Sequence, residues 1–296
     1  MKSVVFIFID GLGLGSEEPE INPCLHSDIS IFSFHNKQKD TISVLKNGFC
    51  IPTDATLGID GLPQSATGTA TLLTGINCAR EVKMHVPGFP TNKLTEIIRK
   101  ESVLKKVKLK GLSTTFINAY RPLFFKLKEE TKWRLSTTTV ANLAADNTFY
   151  SLEDIEKHRS IYHDYTNKKL IERGFKVPVF TSKEAAHILA DAADDFNLVV
   201  YEYFLTDRAG HTQDMDTAVQ VLVLIEKFII HLIDILDLTE KLIIVSSDHG
   251  NIEDLSVKTH TRNAVGTYMW GRDSEHYINK IRDLTDISKI IQRFLS

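Results

Sequence analysis

Four short segments of the chain carry oxygen and nitrogen side chains of the kinds that hold metal ions or attack an electrophile. Asp10 follows an apolar run, in Ile9-Asp-Gly-Leu-Gly13. Ser65 stands in Leu62-Pro-Gln-Ser-Ala-Thr-Gly-Thr-Ala-Thr-Leu-Leu-Thr-Gly75, a run of small residues closed by a glycine, as in a short helix with Ser65 at its start. Asp207-Arg-Ala-Gly-His211 and Ser247-Asp248-His249-Gly250-Asn251 each follow an apolar run, and His260-Thr261 comes soon after the second. Taken singly, each has an ordinary structural use. An aspartate after a strand caps a turn, a serine caps a helix, and a loop histidine binds nothing. As a set they place oxygen and nitrogen ligands at the ends of three strands, which is what a dinuclear cation site requires.

The elements that must position these groups are legible around them. Residues 3–9 are β-branched and aromatic without alternation, the mark of a strand buried on both faces. Similar runs occur at 114–117, 198–204 and 242–246. Between them the apolar spacing predicts helices over roughly 91–107, from the capping box at Thr181 and Glu184 to about 194, over about 214–236, and near 286–295. Strands alternating with helices predict an α/β fold, a mainly parallel sheet covered by helices on both faces. Ligands bind such a sheet at the carboxyl ends of its strands, where the four segments lie. His187 and His231 fall on helix faces and read as ordinary packing or surface residues.

Composition narrows the functional classes. The chain has 296 residues, 43% apolar and 25% charged, with 35 basic and 38 acidic side chains. That is the mix of a globular protein, and no run of like charge suggests nucleic-acid or membrane-surface binding. Cys24, Cys50 and Cys78 form no paired motif, which argues against a disulfide framework and a cysteine zinc knuckle. The apolar run at 4–9 is too short for a secretory leader, and the longest one, 218–236, is interrupted by Glu226, Lys227, His231 and Asp234. The expectation is a cytoplasmic protein of one domain over 1–296, with a small lid or insert within about 121–178, the least regular stretch.

The chemical segments resemble those of the alkaline phosphatase superfamily of metalloenzymes, most closely the branch of cofactor-independent phosphoglycerate mutase and phosphopentomutase. The likeness lies in Phe8-Ile-Asp-Gly-Leu-Gly13, Gln64-Ser-Ala-Thr-Gly68, Thr206-Asp-Arg-Ala-Gly-His211, Ser247-Asp-His-Gly-Asn251 and Thr259-His-Thr-Arg-Asn263, in the family's order. It covers roughly residues 1–90 and 180–270 and implies an alkaline-phosphatase-like fold with two divalent metal ions. One ion would be held by Asp10, Asp248, His249 and the Ser65 oxygen, the other by Asp207, His211 and His260. Three histidines allow zinc, and the hard oxygen ligands also suit manganese. Glu202 lies where classical alkaline phosphatases place a magnesium-site glutamate. Ser65 is favoured over Thr67 as nucleophile because its spacing to Gly75 is the family's.

A bound cation activates a serine hydroxyl, and the start of a helix attracts phosphate oxygens. Two such ions about 4 Å apart can clamp the attacking and leaving oxygens of an in-line displacement. The implied partner is a small phosphorylated substrate. The stretch between Gly75 and Asp207 is too short for the large cap of the mutases, and Ala66-Thr67-Gly68 follows the serine where they have bulkier residues. Both departures favour a phosphohydrolase, of monoesters or diesters, over a phosphomutase; a non-catalytic phospholigand binder is the third reading, ranked below these because all seven ligand residues are present. The Ser65 context does not fit a sulfatase. Arg121 and Arg80 are candidate partners for phosphate oxygens, and Asn118 and Tyr120 candidate pocket residues. Oligomeric state is not legible.

Overall fold

The computed structural model describes residues 1–37 and 40–296 of the chain. Its centre is a seven-stranded sheet of β1 (Ser3–Ile9), β2 (Ile42–Val44), β3 (Gly48–Thr53), β4 (Thr114–Phe116), β5 (Leu198–Tyr203), β6 (Lys241–Ser247) and β7 (Val265–Gly271). The spatial order is β2-β3-β7-β6-β1-β5-β4. Strands β4, β5, β1 and β6 are parallel neighbours, while β7 runs antiparallel to both β6 and β3, and β2 antiparallel to β3. The sheet is therefore mixed and mostly parallel. Strands β3 and β7 escape the apolar-run reading because Gly48, Pro52, Gly266 and Gly271 punctuate them.

The absence of alternation in β1 has a direct cause. Val5, Ile7 and Ile9 join one core, with the helices Ser182–Asp195 and Met215–Ile235. Val4, Phe6 and Phe8 join the other, with the helices Ser65–Thr74, Asn92–Glu101, Val103–Leu109 and Thr285–Phe294. Every residue of β1 is buried, so the apolar pattern is continuous rather than period two.

The helices lie close to where periodicity puts them, with one correction. The expected helix over 91–107 is two helices, broken at Ser102, whose ψ of 128° leaves the helical region. The Ser102 hydroxyl donates to the Ala141 carbonyl at 3.0 Å, anchoring the break to a neighbouring helix, Thr137–Ala144. The helix Ser182–Asp195 starts at a complete capping box of Thr181 and Glu184.

Residues 121–178 form short helices, among them Pro122–Phe125, Thr137–Ala144 and Leu152–Glu156. Val140 and Ala141 enter one core and Ile155, Ile161, Tyr165 and Leu170 the other. Bridges from Asn118 to Ile161 and from Ala119 to Tyr150 tie the segment to the chain leaving β4, and so cover a sheet edge that would otherwise be open. Among the described residues no helix is long and apolar enough to cross a membrane.

Candidate metal centre

Three neighbouring strands, β6, β1 and β5, deliver the acidic residues. Asp10 follows β1, Asp248 follows β6, and Asp207 lies in a short helix after β5. Ser65 is the first residue of its helix, which Gly75 ends in the left-handed conformation at φ 74°. Asp10, Asp248 and His249 offer ligand atoms within 4.8 Å of one another, and so do Asp207, His211 and His260. His249 Nε2 is 3.2 Å from Asp10 Oδ1 and 3.7 Å from Asp248 Oδ2. Ser65 Oγ reaches the same nitrogen at 3.0 Å. In the other group the Nε2 atoms of His211 and His260 each stand 3.4 Å from Asp207 Oδ1. The rings of His249 and His260 stack with centroids 3.7 Å apart, so the two groups adjoin.

Outer contacts aim these donors. His211 Nδ1 lies 2.9 Å from the Lys258 carbonyl and His260 Nδ1 2.9 Å from that of Pro63, which leaves both Nε2 atoms directed at Asp207. This is how histidine ligands are ordinarily oriented. Asn251 Nδ2 donates to Asp207 Oδ1 at 2.7 Å, and Thr69 Oγ1 to Asp248 Oδ2 at 2.9 Å. Thr69 is four residues after Ser65, on the same helix face, a signal the sequence carries. Packing here is too close for side chains: a Cβ on Gly68 would sit 2.5 Å from the Asp248 carbonyl oxygen.

The charges fit a cation. Three carboxylates converge, and buried Asp10 Oδ1 makes no well-aligned hydrogen bond beyond its 3.2 Å approach to His249 Nε2. Burial opposes charge on His249, but Asp248 and Asp10 outweigh it and push the imidazole up to about 10. Burial also raises Asp207, yet the hydrogen bond from His260, the charge of His249 and the Asn251 amide hold it down at about 2. A site that so strongly favours positive charge on a buried histidine amid carboxylates has the electrostatics of a metal centre.

Two hydroxyls of this helix start are placed differently. Thr67 is fully buried and its Oγ1 donates to the Gln64 carbonyl while accepting from the Val86 amide. Ser65 alone of the pair faces the ligand groups. The helix start is less open than its sequence implies, because the Ala66 N–H donates to the Val86 carbonyl at 3.1 Å.

The remaining candidates divide. Glu202 accepts from Thr138 Oγ1 at 2.7 Å and belongs to neither ligand group; burial, with Asp10 adding to it, pushes its carboxyl up to about 7. Asn118 clamps the Glu202 backbone, donating to its carbonyl at 2.8 Å and accepting from its N–H at 2.9 Å. Tyr120 hydrogen-bonds Thr139 at 2.8 Å, and Arg121 is exposed at the start of Pro122–Phe125. Asn118, Tyr120, Arg121 and Glu202 line one cavity. Arg80 is separate from all of these: it sits on the exposed face of the short helix Cys78–Val82 and belongs neither to a ligand group nor to the cavity wall.

Glu253 is the organising residue that motif reading passes over. It is fully buried and accepts from the Gly13 N–H at 2.9 Å, the Asn251 N–H at 2.7 Å, Thr261 Oγ1 at 2.5 Å and Asn263 Nδ2 at 3.1 Å. It thereby joins the loops that follow β1 and β6 to the segment after His260. Gly13 and Gly250 both leave it room, since a Cβ on either would fall within 2.4 Å of its Oε1.

Solved structures show that the fold is alkaline-phosphatase-like. The alkaline phosphatase of the Antarctic bacterium TAB5 is 13% identical, with a TM-score of 0.56, over 99% of this chain and 98% of that one. The PH0037 protein of Pyrococcus horikoshii is 12% identical, with a TM-score of 0.56, over 99% and 97%. A cold-active alkaline phosphatase of a psychrophilic Shewanella species is 12% identical, with a TM-score of 0.52, over 99% and 100%. No curated protein is matched significantly by sequence. A model of the Metalloenzyme superfamily matches residues 2–295, and the chain belongs to that superfamily. Membership implies divalent metal ions, and the two clustered ligand groups are of the kind that would take them.

Proposed function

We propose that the protein is a metal-dependent phosphohydrolase that works through Ser65. The observation that carries this reading is the placement of Ser65 Oγ at a helix start, 3.0 Å from His249 Nε2, beside two adjoining ligand groups. Asp10, Asp248 and His249, with Ser65, would hold one divalent ion, and Asp207, His211 and His260 a second; zinc and manganese both suit these donors. Such ions supply Lewis acidity and lower the pKa of a coordinated hydroxyl or water. Glu202, with Thr138 and nearby Asp10, is a candidate for a further magnesium.

In this reading Ser65 is the nucleophile. Ser65 Oγ loses its proton to solvent and forms an O–P bond to the ester while the bond from phosphorus to the alcohol oxygen breaks. The alcohol leaves with a proton from water. A water molecule then attacks the phosphoserine, the bond to Ser65 breaks, Ser65 regains its proton and inorganic phosphate departs. The buried Asp248 carboxylate is fixed by Thr69, so it need not reorganise as charge moves. Arg121 is the candidate cation for phosphate oxygens, with Asn118 and Tyr120 shaping the wall beside it.

The mouth of the neighbouring cavity favours water over a retained alcohol as acceptor. Phe89 and Leu123 there are 64% and 67% exposed, so an alcohol bound in the cavity has an open way out, and water a way in, between the two half-reactions. The test is turnover of a chromogenic phosphomonoester and its diester by metal-stripped protein resupplied with manganese or zinc, with Ser65→Ala in parallel. Metal-dependent release abolished in Ser65→Ala is expected. Release that survives Ser65→Ala overturns the phosphoserine route, and phosphate passed to an added sugar-phosphate acceptor in preference to water would make the enzyme a mutase.

A further inference from the structure

A cavity of about 480 Å³ opens beside the metal-ligand cluster. Its wall is largely apolar, with Phe89, Phe116, Leu123, Phe124, Leu127 and Leu135. Tyr120 packs on Phe124 at 4.2 Å and on Phe149 at 5.0 Å, which makes one side an aromatic panel. The inner end is polar and adjoins the site: Glu202 on β5 and Phe204 just after it line the cavity, the Asp10 N–H donates to the Tyr203 carbonyl between them at 2.9 Å, and the chain after Phe204 enters the short helix of Asp207. His163 also lines it. That side chain is only 9% exposed, stacks on Phe204 at 4.0 Å, and its buried Nδ1 has no partner. Arg121, at the rim, makes no ion pair among the described residues.

An apolar cavity of this size with a few polar groups is the usual form of a small-molecule site, and none of the described residues fills it. Large apolar side chains exposed at its mouth lose water contact only when something enters. We infer that the cavity receives the alcohol half of the phosphoester and that the preferred alcohols carry an aromatic or similarly apolar group. This rests on the reading of the centre as a phosphoester site. The phosphoryl group would sit at Ser65, the ester oxygen would point past Glu202, and the ring would lie between Leu127, Leu135 and the Tyr120–Phe124 panel. A small polar alcohol would gain nothing from that wall.

The experiment uses non-hydrolysable phosphonates on the metal-loaded protein, followed by calorimetry and by inhibition of turnover. Burying a ring predicts that phenylphosphonate and 1-naphthylphosphonate bind at least about 10-fold tighter than methylphosphonate. Leu127→Asn, and separately Phe89→Ala on the exposed mouth, should erase most of that preference while inorganic phosphate, which does not reach the apolar wall, binds as before. Equal binding of the three phosphonates overturns the assignment, as does a preference that survives both variants. The two proposals fail separately. Tight aryl binding without turnover of any phosphoester would sink the hydrolase and leave the cavity assignment standing, whereas brisk turnover without aryl preference would do the reverse.

Discussion

The ligand cluster and the cavity beside it are built on opposite principles. The cluster hangs on the ends of three central parallel strands, and its members are fixed by buried hydrogen bonds from Thr69, Asn251 and the loops gathered on Glu253. Glycines at 13, 68 and 250 stand where no Cβ would fit. The cavity wall comes mainly from short helices and connections between 121 and 163, with two large apolar residues open to solvent. Chemistry that depends on placing charges within a few tenths of an ångström needs the first kind of support. Selection among apolar groups tolerates the second, because dispersion and burial are not directional.

That contrast predicts different failures. Asp248→Ala should cost the most: removing a buried carboxylate from the ligand group should lower turnover of every phosphoester by more than about 10³-fold. Metal content and turnover, measured together, check it; a selective loss on aryl esters alone would erase the distinction between the regions. Glu253→Gln comes next. One oxygen becomes an NH2 facing N–H and O–H donors, so metal affinity should weaken by about 10- to 100-fold, as for outer-layer partners in general. Titration with a competing chelator would show it, and unchanged affinity would mean that the loops hold their places without this carboxylate.

Gly68→Ala sharpens the packing side of the comparison. The added methyl would press on the Asp248 carbonyl, and the expected destabilisation is about 1–3 kcal/mol in denaturant unfolding. The smallest effect is expected at the cavity, from acid. Burial lowers His163 from the ordinary 6.5 to about 3, with Arg208, Arg173 and Arg121 adding to it. Stability is therefore full above pH 6.5 and falls as pH drops toward 3, because the unfolded chain takes up a proton that the folded one excludes. His163→Phe should reduce the stability lost between pH 7 and pH 6 by about 0.7 kcal/mol. Urea unfolding of both proteins at the two pH values checks the sign, and an equal loss in each would show that His163 does not remain neutral when buried.

Much of the fold was legible because it is local. Runs of β-branched residues marked β1, β5 and β6, and the capping box at Thr181 and Glu184 marked a helix start. The antiparallel strand β7 was not, because its glycines and its pairing with β3 and β6 have no expression in its own residue pattern. The split at Ser102 was hidden for a similar reason: an apolar face can continue across two helices, and the break is held by a hydrogen bond that Ser102 donates to the distant Ala141 carbonyl.

At the centre, residue types and positions after strands were enough to single out Asp10, Ser65, Asp207, His211, Asp248, His249 and His260. What made them a group lies elsewhere. Ser65 and His249 are 184 residues apart in sequence and 3.0 Å apart in space, a meeting that depends on strand order and on the helix Ser65–Thr74 packing beneath the β6 loop. Tertiary structure likewise placed Arg80 on an exposed helix face, bonded the Thr67 hydroxyl to Gln64 and Val86, and made Glu253 the hub of three loops. Sequence by itself determined which functional groups follow which strand, since that is written in covalent order and local backbone preference. Only the packed sheet decided which of them touch, because contacts between distant segments follow from how every element buries its apolar faces at once.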